Sequence, residues 1–167
     1  MTVTPATWFD DDIDAVDEVV GTDHVVVRFG GGRYGVCATD VAEVTALLGL
    51  TRVPGTPPWV CGVANWRGHV LPVVDLRSLL GVPVTPLPSS ARIVVVSVDD
   101  VEVGVLAEAV AGLIAVPVSR AAPPATLTGD AAELIVGLAD GGPVGPVAVL
   151  STAAILALGS RTGSTRH

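Results

Sequence analysis

The sequence predicts an all-β protein with a few short helices, built as two similar small lobes. Three observations carry the prediction. The apolar runs are short and rich in valine, glycine and proline interrupt them at close intervals, and landmarks of the first half recur in order in the second. Short strands punctuated this way favour barrels or sandwiches over alternating strand–helix units. With 167 residues, half of them hydrophobic, the chain can bury a sizeable core in one unit.

Taken in order, residues 1–22 read as an acidic flexible tail. Asp10, Asp11, Asp12, Asp14, Asp17 and Glu18 crowd it, with Trp8, Phe9, Ile13 and Val16 interspersed. Such a segment is a solvated or weakly helical arm, or a partner-binding one. Val25 to Phe29, Gly30-Gly31-Gly32 and Arg33 to Cys37 read as a hairpin with a glycine turn. The glycines do not form a phosphate loop, because no Gly-Lys-Ser/Thr ending follows. Asp40 to Leu48 reads as a short helix, and Val70 to Leu76 as a strand in which Pro72 suggests an edge or a bulge. Ser78 to Ala91, with Pro83, Pro86 and Pro88, reads as the connector between lobes. Ile93 to Val98, Asp99-Asp100 and Val101 to Leu106 form a second hairpin, and Ser151 to Leu158 a second helix. Residues 159–167 read as a flexible tail. The folded domain is expected over 23–158, its lobes over about 23–90 and 91–158, with an exchange of strands between them left open.

The repeat is specific in its order. Tyr34-Gly35-Val36, Val41-Ala42, Val53-Pro54, Pro57-Pro58, Val60 to Asn65 and Val70 to Leu76 mark the first half. Val103-Gly104-Val105, Val110-Ala111, Val116-Pro117, Pro123-Pro124, Ile135 to Asp140 and Val144 to Leu150 mark the second. Two small β lobes follow, each a closed or nearly closed barrel, since closure removes exposed strand edges.

Charge and hydropathy exclude several classes. Net charge is −8, and all nine basic residues are arginines placed singly, so there is no basic stripe for nucleic acid. An anionic membrane surface would repel the chain. Mean hydropathy is +0.64. Yet Val25 to Val27 stops at Arg28, Ile93 to Val96 stops at Ser97, and Leu113 to Val118 contains Pro117. None approaches the roughly 20 apolar residues of a membrane span. No basic segment followed by an apolar core opens the sequence, so a cytoplasmic protein without direct membrane insertion is expected.

Catalytic constellations are weak. There is no Gly-x-Ser-x-Gly, and His24, His69 and His167 are scattered with no metal-ligand spacing. A Cys–His pair needs the fold to bring Cys37 or Cys61 to His69. Asp99, Asp100 and Glu102 sit in a predicted turn, and Asp75 suits a turn cap or an arginine pair. The expectation is no enzyme, no metal and no cofactor. The alternative kept from that class is a small Cys-dependent enzyme.

The segment Val60-Cys61-Gly62-Val63-Ala64-Asn65-Trp66-Arg67-Gly68-His69-Val70-Leu71-Pro72-Val73-Val74-Asp75-Leu76-Arg77 resembles the signature of CheW-like domains. That family shows Gly-Val, Asn-Leu-Arg-Gly, an apolar strand with proline, and Asp-Leu-Arg. The resemblance extends from about Asp23 to Leu158, through Tyr34-Gly35-Val36, Val41-x-Glu43-Val44, Val103-Gly104-Val105, Gly137-Leu138 and Val147 to Leu158. It implies a pair of small five-stranded, SH3-like β-barrels. It also implies a chemotaxis adaptor that couples chemoreceptors to the histidine kinase CheA. Such an adaptor binds the regulatory domain of the kinase through barrel ends, and the cytoplasmic tip of the receptor near the groove between lobes. An adaptor of a non-flagellar pathway, for twitching motility or second-messenger control, is the alternative with the same fold.

By position in the motif, the resemblance implies partner binding at Val41, Glu43, Gly62, Asn65, Arg67 and Gly68, with Trp66, Asp75 and Arg77 as structural members. Arg67 offers a planar fork of donors to a partner, or else pairs with Asp75 or another local acid. Trp66 stands where the family usually has leucine, as core or as a surface anchor. Around Gly142 and Val149 the second copy has no counterpart of Arg67 or Asp75, so recognition is expected from the first copy.

Overall fold

The computed structural model describes residues 22–116 and 129–164. The acidic arm up to Gly21, the Pro123-Pro124 landmark and the last three residues lie outside them.

Among the described residues, ten strands form two five-stranded sheets. The central sheet holds β3 (Val41–Thr45), β4 (Val60–Trp66), β5 (His69–Val74), β6 (Arg92–Val98) and β7 (Val101–Ala107), in the order β3-β6-β7-β5-β4. The terminal sheet holds β1 (Thr22–Phe29), β2 (Gly32–Cys37), β8 (Ala109–Val116), β9 (Ile135–Asp140) and β10 (Pro146–Leu150), in the order β8-β1-β2-β10-β9. Among the described residues three α-helices accompany them: α1 (Arg77–Leu80), α2 (Gly129–Leu134) and α3 (Thr152–Ser164).

The repeat is present, but its halves are interlocked. Hairpin β1–β2 belongs to the first half and completes the sheet of the second, while hairpin β6–β7 does the reverse. The registers correspond. Gly35 pairs in parallel with Val149, and Gly104 in parallel with Val73. A division near residue 90 therefore does not separate the sheets. The Ser78 to Ala91 stretch joins β5 to β6 within one sheet, and the chain crosses between sheets at residues 38–40 and at Glu108. The sheets are not closed into barrels. The outer edge of β4 is met instead by Thr51, whose N–H and C=O both bond Val63, at 2.8 and 2.9 Å.

Local chemistry explains most elements. Gly30 and Gly31 both have positive φ, as the tight β1–β2 turn requires, and Asp99 and Asp100 do the same for β6–β7. Ile93 to Val96 is one apolar run because β6 is buried on both faces. Val94 and Val96 enter a core shared by both sheets with Val27, Phe29, Leu76 and Ile155. Ile93 and Val95 enter a smaller cluster with Trp66 and Leu71. Each fully buried side chain of this kind contributes about 1.5–3 kcal/mol.

Three expectations change. Asp40 to Leu48 is not a helix: Val41, Val44 and Thr45 imitate a helical stripe but are β-branched, and pairing with β6 makes them a strand. Pro72 lies on an inner strand; the parallel ladder to β7 begins only at Val73, so its missing N–H falls outside that ladder. The last helix runs past Leu158 to Ser164. Gly159 does not stop it but permits close packing, since a Cβ there would collide with Val103.

Candidate functional site

The β4–β5 hairpin closes with a two-residue turn, Arg67-Gly68, at φ 52° and 81°. Asn65 braces it, its Oδ1 accepting the Gly68 N–H at 3.1 Å. This rigid turn fixes where the neighbouring side chains stand. Trp66 is buried, 6% exposed, and its indole N–H donates to Glu43 Oε1 at 2.9 Å. Arg67 bonds the same oxygen at 2.9 Å and lays its guanidinium 5.0 Å from the Trp66 ring. The Arg67 side chain is nevertheless 65% exposed. One carboxylate oxygen and one ring hold the cation in place while most of its five N–H donors face water. Val70, paired with Asn65 on the other face of the hairpin, is 74% exposed, and His69 pairs with Glu102 at 3.1 Å.

Arg67 thus pairs with Glu43, not with Asp75. Asn65 and Gly68 are exposed at the turn, Glu43 is partly exposed, and Val41 is partly buried at the start of β3. Gly62 is set apart. It is buried in the β4 bulge at φ 143°, and a Cβ there would meet the Thr51 carbonyl oxygen at 2.5 Å. Its place is to let two backbones approach, and it presents no side for a partner.

The second arginine of the motif is used differently. Arg77 is 3% exposed. Its Nε and NH2 groups donate to the Asp75 carboxylate at 2.9–3.3 Å. NH1 donates to the Thr85 carbonyl at 2.9 Å and to Glu108 Oε2 at 3.0 Å. The bond to Asp75 pushes the guanidinium pKa up, so it stays charged. Asp75 also accepts the Arg77 N–H at 3.0 Å. Glu108, the single residue between β7 and β8, accepts the Gly30 N–H from the β1–β2 turn at 2.9 Å. One buried cation therefore ties both sheets and the proline-rich stretch together. Glu108 escaped the sequence reading because its role depends on Arg77, 31 positions away.

The interlocked registers show why the second copy carries no such turn. Glu43 faces Val95 as Gly112 faces Val26, and Trp66 corresponds to Gly141. The counterpart of Asp75 is Ser151, not Val149. Asp75 N–H bonds the Trp59 carbonyl and Ser151 N–H bonds that of Leu134, and each side chain then accepts a backbone N–H from the helix that follows.

The two cysteines lie in different sheets. Cys37 contacts the Thr39 hydroxyl at 3.2 Å in the terminal sheet, and Cys61 lies in the β4 bulge of the central sheet. Neither hydrogen-bonds a histidine among the described residues. Burial, then the charge of Asp75, pushes the Cys61 thiol up to about 11, which suppresses its thiolate. Among the described residues no cluster of three histidine, cysteine or acidic side chains could hold a metal ion, and no helix is long and apolar enough to cross a membrane.

The family model for the CheW-like domain matches residues 23–159. The chain is 38% identical over 84 residues to the chemotaxis protein CheW of Bacillus subtilis, covering 50% of this chain and 54% of that protein. It is 40% identical to Protein PilI of Pseudomonas aeruginosa, covering 53% and 50%. To Protein FrzA of Myxococcus xanthus it is 39% identical, covering 63% and 65%. The matched region therefore spans between half and two thirds of these relatives. Among solved structures, the scaffolding protein TtCheW from Thermoanaerobacter tengcongensis is similar at TM-score 0.69 and 25% identity, over 78% of this chain and 89% of that one. With a family match across most of its length and the same fold as a solved member, this chain belongs to the CheW-like domain family.

Proposed function

We propose that the chain is a chemosensory coupling adaptor, not an enzyme, that joins the regulatory domain of a CheA-type histidine kinase to the cytoplasmic tip of a chemoreceptor. It works in the cytoplasm beside membrane-bound receptor arrays. The observation that carries the reading is Arg67: held by Glu43 and Trp66 on a rigid turn, yet mostly exposed. A preset cation suits an acidic protein surface, and presetting lowers the ordering cost of binding. Asn65, Gly68, Glu43 and Val41 complete that surface; Trp66 holds it, while Asp75 and Arg77 lock the far end of β5.

Titration of the chain with a kinase regulatory domain tests the reading. Saturable binding is expected, weakened at least about tenfold by Arg67→Ala, in the range of interface anchor residues. No binding at high micromolar concentration would sink it. A second reading changes only the output, to a non-flagellar pathway. The identities to PilI and FrzA, 40% and 39%, are as high as the 38% to a chemotaxis CheW. Swimming and surface-motility assays of a deletion strain separate the two.

A further inference from the structure

The proline-rich stretch between β5 and β6 is held firmly, yet it leaves its apolar side chains in water. α1 ends at left-handed Gly81, and residues 82–88, Val-Pro-Val-Thr-Pro-Leu-Pro, follow with neither helix nor strand. Pro83, Pro86 and Pro88 fix φ near about −65°, and each disfavours the helical region for the residue before it. Val84 is then the one residue of the stretch whose backbone no proline restricts. Such a run is extended and left-handed, with about three residues per turn. The tethers keep that period. Val82 N–H bonds the Arg77 carbonyl at 3.0 Å, the Thr85 carbonyl accepts from Arg77 NH1 at 2.9 Å, and the Pro88 carbonyl accepts the Ala91 N–H at 3.0 Å. Val82 also packs against the shared core. The other two edges are open. Val84 and Leu87, three apart, are 59% and 37% exposed, and Pro83 and Pro86, also three apart, are exposed. The carbonyls of Pro83, Val84 and Pro86 accept no hydrogen bond among the described residues. Ser90 Oγ fastens the far end to the Glu108 carbonyl at 2.8 Å. Beyond it, exposed Arg92 donates to the Ser89 and Ala91 carbonyls at 3.3 and 2.7 Å and has no acid partner among the described residues.

We propose that residues 83–87 form a docking ridge for a partner protein whose groove is lined by parallel aromatic side chains. The chemistry selects that partner. Two apolar edges, Val84 with Leu87 and Pro83 with Pro86, repeat at the pitch that aromatic-lined grooves read in a proline helix. The free carbonyls between them suit the N–H of an indole or the O–H of a phenol. Prolines and Arg77 already hold the stretch, so little conformational freedom remains to be lost on binding. A carboxylate at the rim of the groove meets Arg92 and fixes the direction of docking. The ridge follows the end of β5 opposite to the Arg67-Gly68 turn, and it needs no partner at that turn.

The test is amide NMR of the full chain titrated with an SH3 domain, a module with a groove of this kind. Saturable shifts of Val82, Val84, Thr85 and Leu87 are expected, with Kd below about 1 mM. Val84→Asp, an exposed change that leaves the tethers in place, should weaken binding at least about tenfold, and so should the pair Pro83→Ala, Pro86→Ala. Arg92→Gln should keep the proline requirement and lose the salt dependence of Kd. No shifts at about 1 mM SH3 domain, shifts centred on Arg67, or undiminished binding by the variants would overturn the proposal. Shifts of the same residues that grow with chain concentration alone would also overturn it, assigning the ridge to a second copy.

Discussion

Two arginines of one motif, ten positions apart, should respond to removal with very different losses of stability. Arg67 has a side chain 65% exposed and one ion pair, to a carboxylate 32% exposed. Exposed pairs contribute about 0.2–1 kcal/mol, and an exposed cation–π contact about 0.5–1 kcal/mol. Glu43 keeps its bond to Trp66 without Arg67. Arg67→Ala should therefore cost about 1 kcal/mol or less. The Arg77 side chain is 4% exposed and lies between Asp75 and Glu108, themselves 15% and 17% exposed. Arg77→Met fills similar space but leaves two carboxylates facing each other without a cation. Breaking a buried ion pair in this way costs about 3–5 kcal/mol. In a domain of this size each kcal/mol moves Tm by about 2–4 °C. Urea unfolding and thermal melts of both variants measure the contrast. Equal costs, or an Arg77→Met loss under about 1 kcal/mol, would refute the assignment of one arginine to the surface and the other to the frame. Adding Glu108→Gln to Arg77→Met should recover part of the loss, because one of the two unpaired charges is gone.

Other outcomes follow from single contacts. Gly62→Ala forces an L side chain to φ 143° and into the Thr51 carbonyl, so a loss of at least about 2 kcal/mol is expected in urea unfolding; a neutral result would contradict the bulge geometry. Gly159→Ala should destabilise by about 1–3 kcal/mol through overlap with Val103, although alanine is the better helix former, and an increase in Tm would show that α3 does not seat there. Cys61, with its thiol near 11, is about 0.1% thiolate at pH 8, so alkylation followed by mass spectrometry should be slow and rise about tenfold per pH unit up to pH 10; fast labelling at pH 8 would contradict its burial.

Much of this architecture was legible because it rests on local chemistry. Glycine or aspartate pairs that tolerate positive φ announced both hairpins, and a run of valines buried on two faces announced β6. The order of landmarks also disclosed the repeat, since each half meets the same packing requirement. Asn65 and Gly68 are residue types that suit a tight turn, and the structure puts Arg67 and Gly68 at its two central positions. Only the tertiary structure decided the rest. Which hairpin joins which sheet depends on pairings across the whole chain, and no local periodicity carries that information. The same holds for Asp40 to Thr45, whose spacing reads as helix until β6 supplies an edge to pair with. Glu43 as the acid of Arg67, and Glu108 as the second acid of Arg77, are set by distances across strands far apart in sequence. By itself the Val60 to Arg77 motif determined that two cations flank a strand. Burial, a property of the assembled sheets, decided that Arg67 faces outward while Arg77 locks the frame.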